Sequence, residues 1–219
     1  MQRPVLGYWA FRGYAEPIRM LLRHLEVDFE DMMYQQGDAP DYDRSEWLNV
    51  KETLGMEFPN LPYWIDEDIK LSETFAILEY VAAKYSPSYL GNNMMEETHV
   101  VMMQGVLKDL KTAATKPCLS SDALSLIPLC RESLKPTLIR IGSFLEGKRF
   151  LIGDHPTWID FYLFELLDQI ETMCPGILAE NSQNFSSYKD NVRSLAHVEE
   201  FIARPRMPFN YKKAGWGNK

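Results

Sequence analysis

Apolar and polar positions along the first 85 residues change period several times, and each change marks an element. Val5-Leu6-Gly7-Tyr8-Trp9 is a short apolar run of strand type. Gly13 marks a turn. A helix follows, with Pro17 suited to its first turn and Ile18, Leu21, Leu22 and Leu25 on one face. Val27 to Tyr34 reads as a second strand, and the polar stretch Gly37 to Asp43 as a loop leading to Arg44-Ser45-Glu46-Trp47-Leu48. Tyr63-Trp64-Ile65 and Ile69-Lys70-Leu71 flank Asp66-Glu67-Asp68 as a hairpin. Ser72 is expected to cap a helix carrying Phe75, Ile77, Leu78, Val81 and Ala82. The order βαβ then ββα predicts a mixed sheet with helices packed on it.

From Ser86-Pro87-Ser88-Tyr89-Leu90-Gly91, a linker signal, the pattern turns helical. Met95 to Lys116 is expected as one long helix with Met103, Val106, Leu107 and Leu110 inward, stopped by Pro117. Leu124 to Glu146 is a second, with a kink expected at Pro136. Thr157-Trp158-Ile159-Asp160 has the spacing of a capping box. The helix it opens is apolar almost all round, so a central, buried position is expected. Tyr188 to Ala203 reads as a last helix, and Pro205 to Lys219 as an irregular tail. Met94, Met95, Met102 and Met103 are expected in the helix core. The chain thus divides into 1–85, an α+β part, and 92–219, an all-α part.

Composition narrows the function. The chain has 219 residues and 46% hydrophobic content, enough for a substantial core, with no apolar run long enough for a membrane span and no signal-peptide pattern at Met1-Gln2-Arg3. Its net charge of −8 is concentrated early: residues 1–85 hold 8 Lys+Arg against 16 Asp+Glu, leaving 15 of each for the remainder. That acidity argues against nucleic acid as a partner. Cys118, Cys130 and Cys174 form no C-x-x-C, which excludes dithiol exchange and points to a reduced, cytoplasmic setting. The four histidines are scattered without ligand spacing, so no metal site is expected.

The candidate chemistry centres on Phe58-Pro59-Asn60-Leu61-Pro62-Tyr63 and, further on, Ser72-Glu73-Thr74. X-Pro bonds reach the cis form more cheaply than other peptide bonds, and a cis turn there leaves the backbone of Leu61 free to pair with an extended peptide. A helix start nearby offers unpaired N–H groups to a carboxylate. Together they suit a short anionic peptide. Gly7-Tyr8-Trp9 is the candidate for activating it, although a strand tyrosine alone is more often packing.

These motifs, with Asp38-Ala39-Pro40-Asp41-Tyr42-Asp43-Arg44-Ser45-Glu46-Trp47-Leu48-Asn49 and the terminal Trp216-Gly217-Asn218-Lys219, resemble the mu class of cytosolic glutathione transferases over essentially the whole chain. The resemblance implies a fold, an α+β thioredoxin-like N-terminal domain followed by an all-α domain. It also implies an activity: conjugation of the glutathione thiolate to small hydrophobic electrophiles, in detoxification, by a cytoplasmic homodimer. Glutathione is then a co-substrate and no tightly bound cofactor is expected. Tyr8 falls at the catalytic position. Trp9, Arg44, Trp47 and Lys51 match contacts to the glycyl end, Asn60 and Leu61 the segment pairing with the cysteinyl backbone, and Glu73 and Thr74 the γ-glutamyl site. Asp109 matches an acid reaching the same ammonium from the neighbouring subunit. Phe11, Tyr14, Leu119, Phe209 and Asn210 match the hydrophobic substrate site, and Phe58 an aromatic dimer contact.

The chain departs from the class in three places. Glu73-Thr74 replaces the usual Gln-Ser, and Lys116-Pro117-Cys118-Leu119 has no tyrosine where the long helix ordinarily carries one. Glu79 and Ala83 stand where interface arginines are common. The missing tyrosine leaves a second reading open, a non-catalytic binding protein for hydrophobic ligands on the same scaffold.

Overall fold

The computed structural model describes residues 3–67, 69–210 and 213–216. Asp68 and the Gly217-Asn218-Lys219 part of the terminal motif lie outside them. Four strands, β1 (Val5–Trp9), β2 (Glu30–Tyr34), β3 (Tyr63–Asp66) and β4 (Ile69–Ser72), form one sheet in the order β2-β1-β3-β4. β1 runs parallel to β2 and antiparallel to β3, and β3 antiparallel to β4, which is the mixed sheet the sequence predicts. α1 (Glu16–His24) makes the crossover, α2 (Ser45–Lys51) follows β2, and α3 (Thr74–Tyr85) closes the unit. β2 begins at Glu30 rather than Val27: the Val27 N–H bonds the Leu22 carbonyl, so Val27 still belongs to the end of α1.

A short 3-10 turn, Pro87–Leu90, leads to α4 (Met94–Cys118), α5 (Ala123–Phe144), α6 (Trp158–Met173), α7 (Ile177–Asn181), α8 (Asn184–Arg193) and α9 (Val198–Ala203). α4 continues one residue past Pro117, and α5 runs through both Pro128 and Pro136. The single last helix expected over 188–203 is instead two. Ser194 caps α8, and His197, in the left-handed region at φ 62°, starts α9.

One continuous core runs from the sheet into the helices. Leu6, Trp64, Ile18, Leu21, Leu22, Ile77 and Leu78 join Phe161, Leu163, Phe164 and Leu167 of the central α6. The capping box of α6 is present, and its Asp160, fully buried, accepts N–H bonds from Thr157 and Leu151, both at 2.8 Å. The methionine expectation is corrected. Met103 is buried, but Met94, Met95 and Met102 are 79%, 60% and 47% exposed, with Val101 beside them at 61%. Only the stripe Val100, Met103, Leu107, Leu110, Lys111, Ala114 and Cys118 of α4 is buried, and the other methionines fall off that stripe.

Candidate active site

β1 delivers Tyr8 to its last turn of strand, paired with Met33, and Gly7 sits opposite Tyr63. A side chain at Gly7 would collide with the Tyr63 ring, which explains glycine in this motif. The loop after β1 is pinned at several points. Arg12 and Gly13 donate their N–H groups to the carbonyls of Pro208 and Phe209 in the tail, at 2.8 and 3.1 Å. The Arg19 guanidinium donates to the Phe11 carbonyl at 3.1 Å. Gly13, at φ 45°, lies so close to Tyr8 that a Cβ there would sit 2.7 Å from the ring. That close approach lets the next residue reach back, and the Tyr14 N–H donates to the Tyr8 hydroxyl at 3.1 Å.

Tyr8 is 4% exposed and its ring packs edge-on against Phe11, centroids 5.3 Å apart. Burial pushes its pKa well above the ordinary tyrosine value, with the Tyr14 N–H acting in the opposite sense. The phenol therefore stays protonated at neutral pH. Its oxygen accepts one backbone N–H, and its own proton has no acceptor among the described residues.

Tyr8 opens into a cleft of about 620 Å³ lined by Trp9, Phe11, Tyr14, Arg44, Trp47, Lys51, Asn60 and Leu61, all expected from the sequence, together with Gln36, Asp41, Tyr42, Leu48 and Lys213. The Leu61–Pro62 bond is cis, as is Ala39–Pro40. Trp47 serves packing as well as lining: it is buried and stacks on Tyr63, with 5.9 Å between centroids. Arg44 is exposed at the start of α2, and Lys51 at its end contacts Glu52 at 3.9 Å.

A second depression, sharing Lys51 and Asn60 with the first, is lined by Phe58, Glu73 and Lys70. Glu73, not Ser72, is the N-cap of α3. Ser72 ends β4, where its hydroxyl donates to the Phe58 carbonyl at 2.7 Å. Glu73 adopts φ 75°, a region costly for a residue with a side chain, at about 1–3 kcal/mol. Asn60 donates to its carboxylate at 3.3 Å. Thr74 is buried and its hydroxyl donates to the Tyr14 carbonyl at 3.1 Å, so Tyr14 joins the start of α3 to Tyr8 through its own backbone. The first turn of α3 presents N–H groups that have no partner within the helix.

Other expected residues lie apart from Tyr8. Asp109 is exposed on α4 and Leu119, 45% exposed, caps that helix. Phe209 and Asn210 are buried behind the loop after β1, with the Arg12 guanidinium 3.5 Å above the Phe209 ring. Phe58 is 79% exposed.

Beneath the loop lies a polar network that sequence reasoning missed. Arg12 donates to Glu165 at 2.9 and 2.6 Å and to Asp168 at 2.6 Å, and Arg206 donates to both acids at 2.9 Å. Lys111 donates to Gln169 at 2.5 Å. A signal was available. Asp168 and Gln169 follow Glu165 at spacings of three and four on a largely apolar helix, which places them together on one side.

Comparison with known proteins agrees with this geometry. The family profile "Glutathione S-transferase, N-terminal domain" matches residues 4–83, and "Glutathione S-transferase, C-terminal domain" matches residues 110–205. The chain belongs to the glutathione S-transferase family, in its mu class. It is 39% identical over 217 residues to a glutathione S-transferase of Dermatophagoides pteronyssinus, covering 99% of this chain and 98% of the relative. It is 37% identical to the rat protein named Glutathione S-transferase Mu 5, covering 98% and 96%. Among solved structures it superposes on the glutathione S-transferase Blo t 8 with a TM-score of 0.86 at 31% identity, covering 97% and 99%. It is thus an enzyme that conjugates glutathione, the substrate its family uses.

Proposed function

We propose that Tyr8 is the catalytic residue and that its phenol donates a hydrogen bond to the glutathione sulfur, favouring the thiolate. The observation carrying this reading is the Tyr14 N–H on the Tyr8 oxygen, which leaves the phenolic proton for the cleft. A free thiol of this type ionises near pH ~8.5. Lowering that by ~2 units takes ~2.7 kcal/mol of preferential stabilisation, and a hydrogen bond to a charged group supplies ~1.5–3 kcal/mol. The thiolate then attacks the electrophilic carbon and forms the C–S bond, while the leaving group departs with its electron pair or, in an addition, the acceptor takes a proton.

In the same proposal the glycyl end lies against Trp9, Arg44, Trp47 and Lys51. The cysteinyl backbone pairs with Asn60 and Leu61, and the γ-glutamyl group meets Glu73 and the N–H groups that open α3. Thr74, whose hydroxyl already donates to the Tyr14 carbonyl, contributes its backbone N–H to the γ-glutamyl carboxylate and a hydroxyl lone pair to the ammonium. Phe11 and Tyr14 form the floor for a hydrophobic electrophile. Leu119, Phe209 and Asn210 bound it more remotely, the last two by supporting the loop. Residues 1–85 and 92–219 act as the two domains.

The assembly we propose is a homodimer, with Phe58 inserted into the partner and Asp109 reaching the partner's glutathione. The exposure of Phe58, Met94, Met95, Val101 and Met102 supports it, since an apolar surface of this kind needs cover. The cellular role is detoxification in the cytoplasm. Among the described residues no helix is long and apolar enough to cross a membrane. No observation favours the non-catalytic reading. The test is retention on immobilised glutathione and turnover with a generic aryl halide. Retention with turnover, falling about 100-fold in Tyr8→Phe, is expected; undiminished turnover in that variant would overturn the mechanism.

A further inference from the structure

Lys111 is the one lysine among the described residues that is classed as buried, at 5% exposure, and no step above uses it. It projects from the inward stripe of α4 to the underside of the loop that carries the active-site contacts. Its ammonium donates to Gln169 at 2.5 Å, stands 3.5 Å from the Gly13 carbonyl oxygen, and lies 5.2 Å from the centre of the Tyr14 ring. The Gly13 carbonyl and the Tyr14 N–H are the two ends of one peptide group. The carbonyl end faces Lys111, and the N–H end donates to the Tyr8 hydroxyl at 3.1 Å.

From this arrangement we infer that Lys111 is a positioning residue for conjugation, acting through the Gly13–Tyr14 peptide on Tyr8. The inference rests on the reading of Tyr8 given above. A cation at a carbonyl oxygen draws electron density through the amide and makes its N–H a stronger donor. That N–H in turn withdraws density from the phenol oxygen, and the phenol becomes a stronger donor to sulfur. Linked hydrogen bonds reinforce one another in this way where the surroundings are of low polarity. Gln169 holds the ammonium in register, and the face of Tyr14 gives it a further, weaker contact.

The charge has to survive burial for this to work. Burial lowers the proton affinity of Lys111 to about 8; Glu165 on α6 opposes the fall, Arg12 from the loop adds to it, and Cys118 on α4 opposes it slightly. Most molecules therefore carry the ammonium at neutral pH. A methionine would fill the same volume with no charge to desolvate, so packing alone gives no reason for a lysine here.

The experiment compares pH profiles of kcat/KM with an aryl halide for the unmodified enzyme, Lys111→Met, Lys111→Arg, Tyr8→Phe and the Tyr8→Phe/Lys111→Met double variant. Lys111→Met should move the acid limb up by about half to one pH unit, lowering kcat/KM near pH ~6.5 about 2- to 6-fold. Lys111→Arg, which keeps the charge, should restore most of that loss. The double variant should show no shift beyond that of Tyr8→Phe. Coincident acid limbs for Lys111→Met and the unmodified enzyme, with Tyr8→Phe shifted, would overturn the role of Lys111 alone. So would a full additional shift in the double variant, because the charge would then act by a route that bypasses Tyr8. An unshifted Tyr8→Phe profile would instead remove the Tyr8 reading, and this inference with it.

Discussion

The Tyr14 N–H donates to the Tyr8 hydroxyl over 3.1 Å, six residues back along the chain, and the same Tyr14 accepts a bond from Thr74 at its carbonyl. Two sites that glutathione would bridge, the sulfur donor and the start of α3, are thereby held at a fixed separation by one residue's backbone. Arg12 and the tail carbonyls of Pro208 and Phe209 lock that backbone from beneath. The cleft is hydrogen-bonded through its backbone at the Tyr8 end and lined by Arg44 and Lys51 toward the other.

Gly13→Ala should disturb this linkage first. The added methyl group collides with the Tyr8 ring, and φ 45° is unfavourable for alanine. A stability loss of about 1–2 kcal/mol is expected, with a larger fall in kcat than the stability change alone would give. Urea titration and steady-state kinetics on one preparation measure both.

Lys51→Met should act on binding and leave the chemistry. Lys51 lines the open end of the cleft and its side chain is 36% exposed, so its charge is partly screened. The KM for glutathione should rise about 3- to 10-fold, less at high salt, with kcat nearly unchanged, as expected for an interaction equal in ground and transition states.

Folding stability should carry a signature of Lys111. Its proton affinity falls from 10.5 to about 8 in the folded chain, so between these values the unfolded chain binds more protons. Stability from this group therefore rises as pH increases through that window, by up to about 3 kcal/mol, and the buried charge is a cost below it. In Lys111→Met that part of the slope should vanish from denaturant titrations run between pH ~7.5 and ~10.5.

Phe58→Ser should weaken the proposed dimer. The ring is almost wholly exposed in one chain, and burying it twice across a two-fold interface would contribute about 1.5–3 kcal/mol per ring. Sedimentation velocity across a dilution series should find dissociation at 10-fold or greater higher concentration than for the unmodified protein.

The local elements were legible because each has a short-range cause. The apolar run Val5–Trp9, the hairpin around Asp66 and Glu67, and the box from Thr157 to Asp160 each depend on neighbours in sequence. The cleft residues from Trp9 to Leu61 were legible through the family resemblance their motifs carry, and the geometry gathers them. What escaped depends on distant partners. Ser72 has the chemistry of a cap, but the Phe58 carbonyl takes its hydroxyl and the strand keeps it. The break before α9 turns on the backbone of His197, which no propensity marks. Met94 and Met102 read as core because composition alone cannot tell which side of α4 faces another element. The role of Tyr14 was invisible for the plainest reason: its two bonds belong to backbone atoms that every residue has.

The most direct measurement is an ultraviolet titration of the thiolate in the glutathione complex of the unmodified enzyme and of Tyr8→Phe. The account predicts ionisation of bound glutathione about 2 units below that of the free thiol, returning to near ~8.5 when the phenol is removed. The same low midpoint in both proteins would contradict it.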